Sequence, residues 1–134
     1  MDWLRVSSRR HGGWTVVEVS GELDIATQNQ LGDHLEEVIA ERTPAQVVVD
    51  MSGLDFCDAS GLSVLVAAHH AAKDRQGQLR LVCPQRRIRR LLHITDLTDV
   101  MPVVDTVAQA TATVKEGEKE VFRPWPGLQP DVTS

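Results

Sequence analysis

The chain has 134 residues, 42% hydrophobic and 25% charged, with a formal net charge of −5, the profile of one ordinary soluble globular domain. The negative balance argues against a nucleic-acid footprint, which is basic, and gives no attraction to anionic membranes, so neither direct nucleic-acid binding nor membrane insertion is expected. No apolar run approaches the roughly 20 residues that span a bilayer, and Met1-Asp2-Trp3-Leu4-Arg5 lacks the basic-then-apolar order of a secretory leader, so a cytoplasmic location is expected.

With two Phe, three Trp and no Tyr, the core must be aliphatic. Trp3 to Ser8 sets Trp3, Leu4 and Val6 among polar neighbours and predicts a first strand. His11-Gly12-Gly13 is a turn signal. The β-branched run Trp14-Thr15-Val16-Val17-Glu18-Val19 predicts a second strand, paired with the first as an antiparallel hairpin and ended by Gly21. Thr27 and Gln30 stand at capping-box spacing. Leu31, Leu35, Val38 and Ile39 then recur at i, i+4, i+7 and i+8, one apolar stripe on a helix of about four turns closed by Thr43-Pro44.

Gln46 to Met51 contains Val47-Val48-Val49, a continuous run expected of a strand buried on both faces. Ser52 to Cys57 reads as a connector. Asp58 can cap the next helix, which carries Leu62, Leu65, Val66, Ala67, Ala68, Ala71 and Ala72 and ends at Gly77 in a C-cap-like position. Leu79 to Cys83 is the next strand. Pro84 opens a short helix with Ile88, Leu91 and Leu92 on one side. Val100 to Val104 forms a last strand that Pro102 confines to a sheet edge, and Asp105 can cap a final helix through Val107, Ala110 and Val114. Strands alternating with helices imply an α/β layer structure with right-handed crossovers. After Lys115 the periodicity stops; the charged run to Glu120 and Pro124, Pro126 and Pro130 predict a flexible tail over 115–134.

Two stretches carry functional information: Gly21-Glu22-Leu23-Asp24-Ile25-Ala26-Thr27, and Asp50-Met51-Ser52-Gly53-Leu54-Asp55-Phe56-Cys57-Asp58-Ala59-Ser60-Gly61-Leu62. Each follows a strand, leads into a helix N-terminus, and sets an Asp beside small polar residues. Helix N-termini present unpaired N–H groups and partial positive charge, suited to an anion or a phosphorylated side chain. Taken singly, Thr27 and Asp58 are read as helix caps and Gly61 as a close-packing residue.

Together the two stretches resemble the STAS family, in particular bacterial anti-sigma factor antagonists. Pro84, Arg89-Arg90-Leu91-Leu92 and Ile94-Thr95-Asp96-Leu97 extend the resemblance, which covers roughly residues 3 to 114. It implies a single STAS-like α/β domain over 1–114, a mixed β-sheet with helices packed mainly on one face. It also implies a mechanism: the protein binds an anti-sigma factor with an ATPase/kinase fold and thereby frees a sigma factor, regulating transcription without chemistry or cofactor of its own. The contact surface implied is Asp24, Ile25, Thr27, Asp58, Ala59, Ser60, Gly61 and Leu62. In the family a Ser after the Asp accepts phosphate from the kinase, and the added charge breaks the interface. That position is Ala59 here, which has no hydroxyl. Ser60 is the phosphoacceptor candidate left in the motif, turned by about 100° along a helix. The alternative role is a non-phosphorylated STAS scaffold subunit of a stressosome-like or lipid-transport complex, and a homodimer is left open.

Other signals are weaker. Arg86, Arg87, Arg89 and Arg90 read as the solvated face of an amphipathic helix. His69 and His70 are adjacent and diverge on a helix, while His11, His34 and His93 are scattered, so no metal site is assigned. Cys57 and Cys83 read as small buried hydrophobes. Ser60 lacks the first Gly of a Gly-x-Ser-x-Gly elbow, and no phosphate-cradling glycine motif occurs. Asp50 could be taken for a receiver phosphoacceptor, but Lys73, Lys115 and Lys119 end no strand.

Overall fold

The computed structural model describes residues 3–112. Its elements alternate as expected: β1 (Leu4–His11), β2 (Trp14–Leu23), α1 (Gln28–Glu41), β3 (Gln46–Cys57), a 3-10 turn over Ala59–Leu62, α2 (Ser63–Asp74), β4 (Gln78–Val82), α3 (Arg86–Ile94), a second 3-10 turn over Leu97–Asp99, β5 (Val103–Val104) and α4 (Val107–Thr111). The strands form one sheet in the order β1-β2-β3-β4-β5. β1 and β2 are antiparallel, joined at Gly12-Gly13, and every later pairing is parallel. The sheet is therefore mixed, and β3, with Val47, Val48 and Val49 fully enclosed, lies at its centre.

The sheet faces are unequal. One is covered by the helical layer, where Leu31, Leu35, Val38 and Ile39 of α1 and Leu65, Ala68 and Ala72 of α2 meet the inward residues of the strands. The other carries a small cluster, Val16, Val48, Val82 and Ala110, roofed by α4. Arg80 ties that roof down. It is buried, its Nη1 donates to the Ala110 carbonyl at 2.8 Å, and its guanidinium sits 4.7 Å from the Trp14 ring centroid.

Several boundaries differ from the sequence reading, each for a tertiary reason. Gly21 does not end β2. It adopts φ +99, where a Cβ would run into the Trp3 carbonyl, so glycine lets β2 pass close to β1 there and continue to Leu23, with a register shift against β3 between Gly21 and Glu22. Ser52 to Cys57 is not a connector, because that extension of β2 gives β3 a partner as far as the Leu23–Cys57 pair. The Thr27/Gln30 capping box does not form. The Thr27 hydroxyl donates to the Glu22 carbonyl at 2.8 Å, and the Gln30 amide reaches across to the Leu4 carbonyl at 3.1 Å.

The capping box occurs instead at Thr106 and Gln109, so α4 is capped by Thr106 and not Asp105. At the end of α2 the left-handed residue is Gln76, φ 60, not Gly77. Gln76 N–H bonds to the Lys73 carbonyl and Gly77 N–H to the Ala72 carbonyl, a Schellman closure. Gly77 is needed because a Cβ there would overlap the Ala45 backbone. Val114 and the expected 115–134 tail lie outside the described residues.

Candidate functional site

The two informative stretches emerge at the same end of the sheet, because β2 and β3 run parallel and finish as neighbours at Leu23 and Cys57. After Leu23 the chain turns through an Asx-turn. Asp24 Oδ1 accepts from the N–H groups of Ala26 at 2.9 Å and Thr27 at 3.1 Å, and Thr27 Oγ1 accepts from Asp24 N–H at 3.0 Å. After Cys57 the same device recurs. Asp58 Oδ1 accepts from Ser60 Oγ at 2.7 Å and from Gly61 N–H at 3.0 Å, opening the 3-10 turn. Asp58 thus caps the 3-10 turn that leads into α2, whereas α2 itself, expected to be capped by Asp58, begins after Leu62 without a side-chain cap.

The two turns are locked together by backbone. Asp58 N–H donates to the Leu23 carbonyl at 3.2 Å. A Cβ on Gly61 would fall 2.8 Å from Leu23 Cγ and 2.9 Å from Leu23 O. Ser63 adds a 3.5 Å hydroxyl contact to Gln28 at the start of α1.

This arrangement sorts the eight residues expected to contact a partner. Thr27, Gly61 and Leu62 are buried and build the turns. Asp24, Asp58 and Ser60 are half-buried, while Ile25 and Ala59 face solvent. Ile25 is 71% exposed, the most exposed large apolar side chain among the described residues. Phe56, 45% exposed and paired with Glu22, adds an apolar surface to the same strand ends. The sequence reading missed it; an aromatic flanked by Asp55, Cys57 and Asp58, in a chain with two Phe, was the signal.

The polar groups of the site are engaged within its own turns. The Ser60 hydroxyl is committed to the Asp58 carboxylate. Burial, then Asp58, then Cys83 push the Cys57 thiol up to about 12, so it carries no thiolate at neutral pH. Among the described residues no three His, Cys, Asp or Glu side chains gather to hold a metal ion. No helix there is long and apolar enough to cross a membrane.

Two short parallel-strand ends bearing paired turns, beneath a mixed sheet with its helices mainly on one side, define a STAS-type domain. The STAS domain profile matches residues 5–110, and the chain belongs to that family. It is 28% identical over 107 residues to an anti-sigma F factor antagonist of Paenibacillus polymyxa, covering 80% of this chain and 92% of that protein. It is 31% identical over 100 residues to an anti-sigma-B factor antagonist of Staphylococcus epidermidis, covering 75% and 92%. The crystal structure of an anti-sigma factor antagonist from Mycobacterium paratuberculosis superposes with a TM-score of 0.73 at 30% identity, covering 80% of this chain and 90% of that one.

Proposed function

We propose that this chain is an anti-sigma factor antagonist: it binds an anti-sigma factor through the strand-end surface and so releases a sigma factor for transcription. The observation that carries this reading is similarity along nearly the whole length of proteins so named, 92% of the Paenibacillus polymyxa and Staphylococcus epidermidis relatives. The surface supports it. Exposed Ile25 and Ala59 each follow a half-buried Asp, Asp24 and Asp58, so apolar side chains and carboxylates share the strand-end surface. Buried apolar anchors with a polar rim are the usual anatomy of a protein interface. The partner is an anti-sigma factor of ATPase/kinase fold, met in the cytoplasm, and the chain contributes no reaction and no cofactor.

Regulation by phosphate is absent or confined to Ser60. Ala59, the exposed first residue of the turn, offers no hydroxyl. The Ser60 hydroxyl is half-buried and held at 2.7 Å by Asp58, and a phosphate there would set roughly two further negative charges against that carboxylate. The binding-competent surface is therefore permanent, and control rests on expression level or on another signal.

The test is binding to the cognate anti-sigma factor. Ala59→Glu places charge at the centre of the surface and should weaken binding at least about tenfold, the loss expected when a charge is desolvated against an apolar contact. Ala59→Ser should bind as wild type and become a substrate of the partner's kinase. Full affinity in Ala59→Glu would remove the site assignment. Stoichiometric phosphate on Ser60 of the wild type, with loss of binding, would replace the permanent surface by a switch with a shifted acceptor.

A further inference from the structure

Two helices on opposite flanks of the domain carry opposite charge. α1 packs against β1, β2 and α2. α3 lies at the other end, where Arg89 bonds to the Cys83 and Val103 carbonyls of the β4–β5 edge. α1 presents Asp33, Glu36, Glu37 and Glu41, all exposed, and contains no Lys or Arg. α3 presents Arg86, Arg87, Arg89 and Arg90 and contains no Asp or Glu. Of these side chains only Arg89 has an ion-pair partner among the described residues, Asp105. The remaining carboxylates and guanidiniums face water.

The spacing is the same on both helices. Asp33, Glu36 and Glu37 stand at i, i+3 and i+4, as do Arg86, Arg89 and Arg90, so each set forms a row with neighbours about 5–6 Å apart. Each row also borders a groove. Arg86, Arg89, Arg90, His93 and Thr98 line a groove of about 370 Å³. Asp33 and Glu36 rim a groove of about 260 Å³ between α1 and α2, lined with Leu35, Ile39 and Ala68. Ile94, 65% exposed at the end of α3, supplies an apolar contact for such a groove.

We infer that the chain associates with further copies of itself head to tail, α3 of one copy seated on the α1–α2 face of the next. Arg86 and Arg90 pair with Glu36, Glu37 and Asp33 across the contact, and the bidentate fork of arginine suits carboxylates presented at this pitch. The contact joins two different surfaces, so each added copy leaves one acidic and one basic flank free and the assembly extends in a row. The net charge of −5 per chain opposes this through space, which keeps the assembly weak and short. A nucleic acid is the poorer occupant for α3, since the rest of the chain repels a polyanion. The inference does not depend on the anti-sigma factor reading, because neither flank includes Ile25 or Ala59.

Sedimentation of the full-length wild type decides the matter. At about 10 mM salt, with a Debye length of about 30 Å, the mean mass should rise with protein concentration; at about 1 M salt, with a Debye length of about 3 Å, it should fall back to the monomer. The double variants Glu36→Arg/Glu37→Arg and Arg86→Glu/Arg90→Glu should each stay monomeric, with self-association weakened more than about tenfold. Mixed together they should assemble again, because the reversed α1 of one then meets the reversed α3 of the other. Should either reversal unfold the chain, Glu36→Gln/Glu37→Gln reads the same loss without new charge. A monomeric wild type at low salt, or association untouched by the substitutions, overturns the inference. So does a mixture that stays monomeric although both variants are folded. If the wild type is monomeric and Arg86→Glu/Arg90→Glu instead loses the anti-sigma factor, α3 belongs to that partner.

Discussion

Replacing Gly61 by Ala tests the joint between the two turns. Gly61 is buried, and its φ is not in the left-handed region, so the cost of a side chain is steric and not conformational. The new Cβ would lie 2.8 Å from Leu23 Cγ and 2.9 Å from Leu23 O, inside the contact distance of real methyl groups. Leu23 is fully buried and cannot withdraw. Forcing the turn away from it should cost about 1–3 kcal/mol, as overpacking generally does. Stretching the 3.2 Å bond from Asp58 N–H to the Leu23 carbonyl should add up to about 1 kcal/mol. The reduced freedom of the unfolded chain returns about 0.4–1 kcal/mol. The net loss is about 1–3 kcal/mol, read as a lower urea midpoint with unchanged slope and a Tm lower by about 4–12 °C. Gly32→Ala is the control. Its Cβ would meet only the Val64 side chain, Cγ1 at 3.4 Å and Cβ at 3.8 Å, ordinary contacts, within α1, so it should stabilise by about 0.5–1 kcal/mol. A Gly61→Ala protein within about 0.5 kcal/mol of wild type would refute the idea that close approach to Leu23 joins the turns.

Asp58→Ala removes the acceptor of both Gly61 N–H and Ser60 Oγ and should cost about 1 kcal/mol by thermal unfolding; Asp58→Asn should recover most of it, and equal losses in the two would contradict the capping role. His69 is buried with Nδ1 unpartnered, and burial, then Lys73, then His70 lower its pKa from 6.5. The folded state thus binds fewer protons than the unfolded, so stability should drop as pH falls below about 6.5, and His69→Leu should flatten that slope; an unchanged slope would assign it to other groups. Cys57 is pushed up to about 12 and Cys83, by its burial, to about 11. Both should resist iodoacetamide at pH 8 until urea is added, and, since folding raises these values, stability should be intact below about pH 9 and decline above it; rapid labelling of folded protein at pH 8 would disprove the burial.

The local readings rest on period and on chemistry that acts within a few residues. The stripe Leu31, Leu35, Val38 and Ile39 is the buried face of α1 because a helix of that period can turn only that face to the sheet. Val47 to Val49 needed a central strand because no edge covers both of its sides. Asp58 caps its turn because its carboxylate reaches an N–H three residues on. The turn at Gly12-Gly13 likewise needed nothing beyond its own residues.

The tertiary structure decided what depends on partners distant in sequence. Gly21 reads as a stop, and only the nearness of the Trp3 carbonyl shows why glycine stands within β2, which runs on to Leu23 and takes β3 with it to Cys57. Thr27 and Gln30 have capping-box spacing, but Thr27 Oγ1 accepts from Asp24 N–H, Thr27 N–H donates to Asp24, and the Gln30 amide turns to the Leu4 carbonyl. Parallel pairing of β2 and β3 brings Asp24 and Asp58 to one end of the sheet, a meeting that no spacing along the chain encodes. It also decides which motif residues face water: Ile25 and Ala59 do, whereas Thr27, Gly61 and Leu62 are spent on packing the turns. A side chain's exposure is set by what folds over it, and in this protein Leu23 and the strand ends, not the neighbours in sequence, fold over the second turn.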